Sequence, residues 1–249
     1  MPVLPYLGVA FTPLGLDEAA AAVAERPADA PFAYVVTPNA QHVVRINRAD
    51  PDLTTAYRDA WLRLCDSRVL ALLARLLGGP ALPAAAGSDL TARLFRSVIR
   101  PDDTVTVVGG DAEMAERLRG IYGLRALQCH FPPMGLLRDD AAMRACVDFV
   151  AAHPARFVFL AVGTPQGEAM AQRIFRHGGA TGTGLCIGAS LLFLTGQSRR
   201  APLWMRRLAL EWLYRLLADP RRHFRRVFVE SLPLVGLVAA DRLRRAFGR

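Results

Sequence analysis

The 249-residue sequence contains no lysine, so all 31 of its basic residues are arginines. This absence excludes a nucleotide-binding P-loop and an enzyme that forms a Schiff base on lysine. Only four cysteines are present, and no two of them form a C-x-x-C pair. The scarcity of cysteine excludes a disulfide scaffold and a zinc ribbon, and it fits a reducing compartment.

Several catalytic motifs are also missing. No G-x-G-x-x-G follows a predicted strand, and neither H-E-x-x-H nor G-x-S-x-G occurs. The five histidines show no metal-ligand spacing. These absences exclude a dehydrogenase and a metalloprotease, and we expect neither a metal site nor a cofactor.

Long apolar runs are missing as well. The first eleven residues lack the basic segment and apolar run of a secretory signal. The longest apolar stretch near the C-terminus, 232–240, is about half the length of a spanning helix. Apolar residues nevertheless make up 52% of the chain, so a sizeable core is expected. We therefore predict a folded cytoplasmic protein that does not cross a membrane.

The positive charge is concentrated at the C-terminal end. Residues 199–249 contain 13 arginines and four acidic residues, which accounts for the whole net charge of +9. The same segment is rich in aromatic and apolar residues. Three interpretations remain open from charge alone: a membrane-surface element, a solvated face of an ordinary helix, and a nucleic-acid-binding segment.

The first 190 residues alternate between short apolar runs and amphipathic stretches. We predict strands at 33–37, 104–109, 126–131, 156–162 and 184–188, and a weaker one at 61–65. We predict helices at 40–48, 69–77, 89–99, 112–119, 141–152 and 168–176, followed by 202–217 and 220–231. The alternation indicates an α/β, Rossmann-like fold with a mostly parallel sheet, helices on both faces and a basic C-terminal helical appendage. We divide the chain into a catalytic α/β domain, 1–198, and an appendage, 199–249.

Small and polar residues recur after the predicted strands, where an open α/β sheet binds ligands. Asp66, after the weaker strand, is a candidate general base, although capping of the next helix explains it at least as well. Thr37 and Asn39 could hydrogen-bond to a sugar or merely shape a turn. The amides of Gly109 and Gly110 could hold a phosphate, although the neighbouring acidic residue would oppose it.

The sequence of residues 188–226 is the most distinctive part of the chain. It reads GASLLFLTGQSRRAPLWMRRLALEWLYRLLADPRRHFRR. Supporting segments are VVTPNAQHVV at 35–44, GSDL at 87–90, VTVVGG at 105–110 and FLAVGTPQGE at 159–168. In these motifs the chain resembles the WecG/TagA/CpsF family of bacterial glycosyltransferases across about residues 33–230.

The resemblance implies an inverting, metal-independent hexosyltransferase of surface polysaccharide synthesis. Its donor would be a UDP-sugar such as UDP-N-acetylmannosamine, and its acceptor a sugar on a polyprenyl diphosphate. The protein would then lie peripherally at the inner face of the cytoplasmic membrane and would not bind nucleic acid. Homo-oligomerisation stays open.

The resemblance also implies roles for individual residues. Asp66 matches the proposed general base, and Thr37 is the second catalytic candidate. The remaining candidates are substrate-binding residues: Asn39, Gln41, Asp89, Gly109, Gly110, Gly163, Gln166, Glu168, Arg215, Arg222 and Arg225. The arginines among them would meet a diphosphate.

Two departures from the family pattern favour an alternative. Ser67 stands where the family usually has glycine, and Gln166 and Gly167 stand where it has lysine and glutamine. A side-chain amide is therefore absent at position 167. The alternative is a catalytically degenerate relative that acts as a membrane-surface binding or scaffold protein.

Overall fold

A computed structural model describes residues 2–247, with the exception of the side chains of Arg222 and Arg226. The strands of the described chain are β1 (Leu4–Tyr6), β2 (Val9–Phe11), β3 (Ala33–Val36), β4 (Leu62–Arg63), β5 (Thr104–Gly109), β6 (Ala126–His130), β7 (Phe157–Ala161) and β8 (Thr183–Cys186). The first two pair as a small antiparallel hairpin. The other six form one sheet in the order β4-β3-β8-β7-β5-β6, and each neighbouring pair in it is parallel.

The helices connect the strands and cover both faces of the sheet. Those of the α/β body are α1 (Leu16–Glu25), α2 (Ala40–Asn47), α3 (Pro51–Asp59), α4 (Arg68–Leu76), α5 (Gly87–Ser97), α6 (Ala112–Tyr122), α7 (Asp140–Ala152), α8 (Gln166–His177) and α9 (Ser190–Leu194). Successive strand residues face opposite sides, so the core has two halves. In β7, Val158 and Leu160 belong to one half, and Phe157 and Phe159 belong to the other. The predicted Rossmann-like α/β fold is confirmed.

The N-terminal elements were not predicted from the sequence. Strands β1 and β2 have three residues each, which is too short to show a period-two pattern. The helix α3 begins at Pro51, where Asp50 caps it by accepting a hydrogen bond from the amide of Leu53 at 3.2 Å. The predicted strand at 61–65 is reduced to the two residues of β4.

The C-terminal segment consists of four α-helices and a π-helical turn. They are α10 (Leu203–Arg207), α11 (Glu211–Ala218), α12 (Pro220–Arg225), the π turn (Arg226–Ser231) and α13 (Pro233–Phe247). The prediction of one helix over 202–217 is wrong, because Ala209 adopts a left-handed φ of 59° and ends the first turns. The amide of Leu210 then donates to the carbonyl of Met205 at 2.8 Å, as in a Schellman motif.

These C-terminal helices pack against the α/β body beside β3 and β4. Helix α13 contacts α2 and α4, and the π turn contacts α2. Within residues 2–247, no helix combines the length and apolar character that crossing a bilayer requires. The arrangement encloses a space between the carboxyl edge of the sheet and the C-terminal helices.

Candidate functional site

A cavity of about 410 Å³ lies where β3 and β4 end and the C-terminal helices begin. A volume of this size is typical of a small-molecule site. Its polar lining comes from both parts of the chain: Asn39, Asp66, Ser67, Ser88, Asp89, Arg200, Arg206, Glu211 and Arg215. The cavity therefore brings the sequence candidates Asn39, Asp66, Asp89 and Arg215 together.

Asp66 follows β4 and faces this cavity. Its amide donates to the carbonyl of Pro38 at 3.0 Å, which places it beside the end of β3. Ser67, the residue after Asp66, caps helix α4, because its hydroxyl oxygen accepts a hydrogen bond from the amide of Leu70 at 3.1 Å. The interpretation of Asp66 as the helix cap is therefore wrong. Ser67, which departs from the family pattern, caps the helix instead, and Asp66 lines the cavity.

The surroundings of Asp66 favour its neutral form. Burial raises the pKa of the Asp66 carboxyl to about 7, and the negative charges of Glu211 and Asp89 act in the same direction. Arg215 and Arg200 oppose this shift by lowering the pKa. A carboxyl that titrates near neutrality can accept a proton from a substrate hydroxyl and release it again. The site thus has the acid–base group that hydroxyl activation requires.

Ion pairs connect the C-terminal segment to this site. Asp89 at the start of α5 accepts hydrogen bonds from Arg200 at 2.7 Å and Arg206 at 3.1 Å. Glu211 pairs with Arg215, and it lies 3.8 Å from Arg200. The buried Nε of Arg200 has no hydrogen-bond partner among the described residues. Arg68 lines the cavity as well, so four guanidinium groups and three carboxyl groups, counting Asp66, lie around it.

Thr37 and Asn39 hold the walls of the cavity in place. Thr37 is buried, and a Cβ on Gly87 would lie 2.8 Å from its hydroxyl oxygen, so this contact requires glycine at the start of α5. Thr37 itself is absent from the cavity lining. Asn39 caps α2 by accepting hydrogen bonds from the amides of Gln41 and His42 at 2.9 and 3.3 Å.

Gln41 lies between α2 and the C-terminal segment. Its side-chain amide donates to Glu230 in the π turn at 2.6 Å. Arg225 is mostly exposed, with its Nε 3.6 Å from the same Glu230. Neither residue is in the cavity lining. The side chain of Arg222 lies outside the described residues, although its backbone belongs to α12.

The glycine candidates lie farther along the same edge of the sheet. Gly109 ends β5, which is three strands away from β3, a separation of about 14 Å at ordinary strand spacing. Gly109 and Gly110 have φ angles of 104° and 76°, so both adopt a conformation that favours glycine. Gly163 follows the neighbouring β7. Asp111 caps α6 by accepting from the amide of Met114 at 2.7 Å, which makes that helix start unfavourable for phosphate.

Glu168 belongs to a buried polar network, and the half-buried Gln166 makes a separate contact beside it. Gln166 accepts a hydrogen bond from the amide of Leu136 at 2.9 Å. Thr164 donates to Glu168 at 2.8 Å, and its hydroxyl lies 2.7 Å from His42 Nε2. Burial raises the pKa of Glu168, and its second oxygen has no partner among the described residues. This network joins the turn after β7 to α2, outside the cavity.

Gly167, the second departure from the family pattern, is buried at the start of α8. A Cβ there would lie 3.2 Å from the carbonyl oxygen of Val162, which is tighter than ordinary contact. The backbone therefore fits glycine closely at this position. A longer side chain would require the turn after β7 to shift.

Arg200, Arg206 and Glu211 are site residues that the sequence analysis missed. They lie in the same distinctive segment as Arg215: Arg200 in RRAP, Arg206 in WMRRL and Glu211 in EWLYR. Asp89 brings Arg200 and Arg206 together, and the left-handed Ala209 separates α10 from α11, which carries Glu211. Among the described residues, no group of three or more His, Cys, Asp or Glu side chains is arranged to hold a metal ion.

Comparison with known proteins gives one family and named relatives. The model of the glycosyl transferase WecG/TagA/CpsF family matches residues 4–248. An N-acetylglucosaminyldiphosphoundecaprenol N-acetyl-beta-D-mannosaminyltransferase of Bacillus spizizenii is 27% identical over 194 residues, covering 76% of this chain and 73% of that protein. A protein of the same name from Bacillus subtilis is 36% identical over 80 residues, about a third of each chain.

The raised pKa of Asp66 predicts a pH-dependent gain in stability for Asp66→Asn. Above pH 7 the folded protein holds an ionised, largely buried carboxylate at a cost, and protonation relieves this cost as the pH falls toward 4. A shift from 3.8 to about 7 corresponds to about 4 kcal/mol, and the partial exposure of Asp66 reduces this to on the order of 2 kcal/mol. Urea unfolding at pH 8 should therefore show the variant to be more stable, with a difference that closes near pH 4.

Asp29→Asn is the matched control, because Asp29 lies in an exposed turn. It should change the free energy of unfolding by less than about 0.5 kcal/mol at both pH values. Equal stability of Asp66→Asn and wild type at pH 8 would contradict the assignment of a costly buried carboxylate.

Proposed function

The chain belongs to the WecG/TagA/CpsF family of glycosyl transferases, and on this premise we propose that it transfers N-acetylmannosamine or a related hexose from a UDP-sugar. The acceptor is a sugar carried on a polyprenyl diphosphate, as the names of the relatives state for those proteins. The observation that carries the proposal is the cavity that Asp66 shares with Arg200, Arg206 and Arg215.

Asp66 is the general base of this proposal. It removes the proton from the acceptor hydroxyl while the hydroxyl oxygen attacks the anomeric carbon of the donor. The bond between that carbon and the diphosphate breaks, UDP leaves with the electron pair, and the anomeric configuration inverts. A pKa near 7 suits a base that must be ionised before the reaction and protonated after it.

Arg200, Arg206 and Arg215 stabilise the charge on the leaving diphosphate without a metal ion. Guanidinium groups bind phosphate oxygens in bidentate geometry, and preformed positive charge is effective in a partly enclosed site. The unpartnered Nε of Arg200 offers one donor directly. The other guanidinium donors are paired with Asp89 or Glu211, and they give up these carboxylates when the diphosphate binds.

The nucleotide part of the donor lies along the carboxyl edge toward β5 and β7. The chain leaves β5 toward β6 on one side and leaves β7 toward β8 on the other, so the strand connections diverge between them. Ligands of open α/β sheets bind at such a point. Gly109, Gly110 and Gly163 lie at this edge, where Gly110 and Gly163 are exposed and Gly109 is buried, while Gln166 and Glu168 hold the adjoining turn.

Thr37 acts in this proposal as a positioning residue. Its contact with Gly87 fixes the end of β3 against the start of α5. Asp89 on that helix then holds Arg200 and Arg206. Residues 1–198 form the sugar-nucleotide-binding part, and residues 199–249 complete the cavity and contact the membrane.

Membrane contact is supported by the apolar residues that the C-terminal helices expose. Trp204 and Leu208 are 59% and 63% exposed on α10 and the turn after it, and Leu217 and Phe224 are likewise exposed. Arg207 and Arg221 are exposed in the same segment. Aromatic and apolar side chains among arginines suit the headgroup region of an anionic bilayer.

The transfer reaction tests the role of Asp66. With UDP-N-acetylmannosamine and a water-soluble polyprenyl-diphosphate N-acetylglucosamine analogue, Asp66→Asn should lower kcat for UDP release by at least about 100-fold. UDP binding measured by calorimetry should stay within about threefold, because the uridine site is distant from the carboxyl. The control variant Asp29→Asn should keep the wild-type kcat. Full turnover by Asp66→Asn would reject this base, and wild-type protein that releases no UDP from any UDP-hexose would favour the scaffold alternative.

The pH profile tests the effect of Glu211 on Asp66. Because the negative charge of Glu211 raises the pKa of Asp66, Glu211→Gln should move the acid limb of kcat/KM to lower pH by about one unit. Glu230→Gln removes a carboxyl that bonds Gln41 outside the cavity, so it should leave that limb in place. An unmoved limb in Glu211→Gln would show that the two carboxyls do not interact.

Vesicle binding tests the membrane surface. The double variant Trp204→Ala, Leu208→Ala should bind phosphatidylglycerol-containing vesicles at least about fivefold more weakly in sedimentation assays, since it removes exposed apolar area. Ile121→Ala, at an equally exposed site on α6, is the control. Unchanged vesicle binding, or salt-dependent binding to duplex DNA instead, would contradict a membrane role for these helices.

A further inference from the structure

One wall of the cavity is apolar, in contrast to the charged groups around Asp66. Helix α4 contributes Val69 and Leu73, and the π turn and α13 contribute Phe228, Leu232 and Val235. The mechanism proposed above uses none of these side chains. The cavity therefore has an amphipathic lining, with guanidinium and carboxyl groups in one part and aliphatic and aromatic groups in another.

The apolar wall continues along α4 beyond the cavity. Residues three and four apart share a face of a helix, so Val69, Leu72, Leu73 and Leu76 form one stripe. Leu72 and Leu76 are exposed, and Leu72 also lines a second hollow of about 390 Å³ between α4 and residues 81–83. An apolar track thus leads from the charged cavity to the surface.

Much of this wall is open to solvent. Leu232 and Val235 are 54% and 48% exposed, although both line the cavity. Contiguous exposed apolar surface of this kind marks a binding site. A bilayer can contact protruding residues such as Trp204 and Leu208, but it cannot follow the wall of a concave cavity. A single flexible hydrocarbon chain can do so.

The charged groups beside the wall specify which hydrocarbon chain fits. Arg68 also lines the cavity, next to Val69 on α4, and it is not assigned to the leaving diphosphate of the donor, so it can complement the diphosphate of a second ligand where the apolar track starts. The complementary ligand is an amphiphile whose anionic head is attached directly to a branched hydrocarbon tail. A polyprenyl diphosphate has this structure, whereas a nucleotide sugar has no apolar tail.

We propose that the wall formed by Val69, Leu73, Phe228, Leu232 and Val235 binds the isoprene units nearest the diphosphate of the lipid-linked acceptor. This subsite rests on the proposed function, since it takes the lipid of that acceptor as its ligand. It makes the enzyme select its acceptor by the tail as well as by the sugar. It also directs the tail along α4 toward the bilayer.

Calorimetry on the full chain without detergent tests this subsite directly. The probes are dimethylallyl diphosphate and farnesyl diphosphate, which share the head and differ by two isoprene units. Wild type should bind the farnesyl compound at least tenfold more tightly. The double variant Leu232→Asn, Val235→Asn should reduce this ratio to about two while its affinity for the dimethylallyl compound changes less than twofold.

The matched control is Ile121→Asn, Leu243→Asn, which changes two comparably exposed aliphatic residues of α6 and α13 outside the cavity lining. It should keep the tenfold ratio. Circular dichroism checks that both double variants fold. A ratio near one in wild type, or an equal ratio in wild type and Leu232→Asn, Val235→Asn, would overturn the proposal.

Two further measurements distinguish a lipid-tail subsite from a bilayer contact and from an interface between copies of the chain. If the Leu232→Asn, Val235→Asn variant changes only the sedimentation mass, the wall is an interface between copies of the chain. If it changes only vesicle binding, the wall is a bilayer contact. Either result rejects the subsite. A failure of the proposed function gives a different result: wild type would still bind farnesyl diphosphate but would release no UDP. If wild type transfers sugar with the same KM to acceptors with five- and fifteen-carbon tails, the proposed function is supported and the subsite is rejected.

Discussion

The site depends on the ion pairs that hold the C-terminal helices against the α/β body. Asp89 binds Arg200 and Arg206, and Glu211 lies against Arg215 and Arg200, so one network spans the two parts of the chain. Without this contact the arginines would lie away from Asp66, and the carboxyl would lose Glu211 as a neighbour. Asp66 and the charges of Arg200, Glu211 and Arg215 near it therefore come from segments about 130 residues or more apart in sequence.

Charge balance explains how such a cluster can bind and release an anion. Four arginines and three carboxyls line the cavity, so it has a net charge of about +1 when Asp66 is ionised and about +2 when Asp66 is protonated. In the proposed mechanism a diphosphate replaces carboxylate partners of the arginines, and proton transfer to Asp66 removes one competing negative charge. The desolvation that raises the pKa of Asp66 would then favour this proton transfer at a cost in stability.

Much of the fold followed from local patterns, whereas the complete site did not. Buried runs such as FVFLA in β7 and the helix α2 after β3 were predicted, because both patterns depend on neighbouring residues. The capping role of Asn39 was not predicted. The role of Ser67 was missed because adjacent Asp66 and Ser67 are both good caps, and only packing decides between them. Arg200 and Arg206 were missed because their convergence depends on packing against Asp89, more than 100 residues away. Glu211 was missed because it follows the left-handed turn at Ala209, where alanine gives no sequence signal.

The most direct test of the central claim is the titration of Asp66 itself. Carbon-13 NMR of the aspartate side-chain carboxyls, with the resonance assigned by its absence in Asp66→Asn, reports the protonation midpoint in the intact chain. The account predicts a midpoint near pH 7, set by burial and by Glu211 across the cavity. A midpoint near 4 would mean that Asp66 is an ordinary solvated carboxylate, and it would contradict the proposed site.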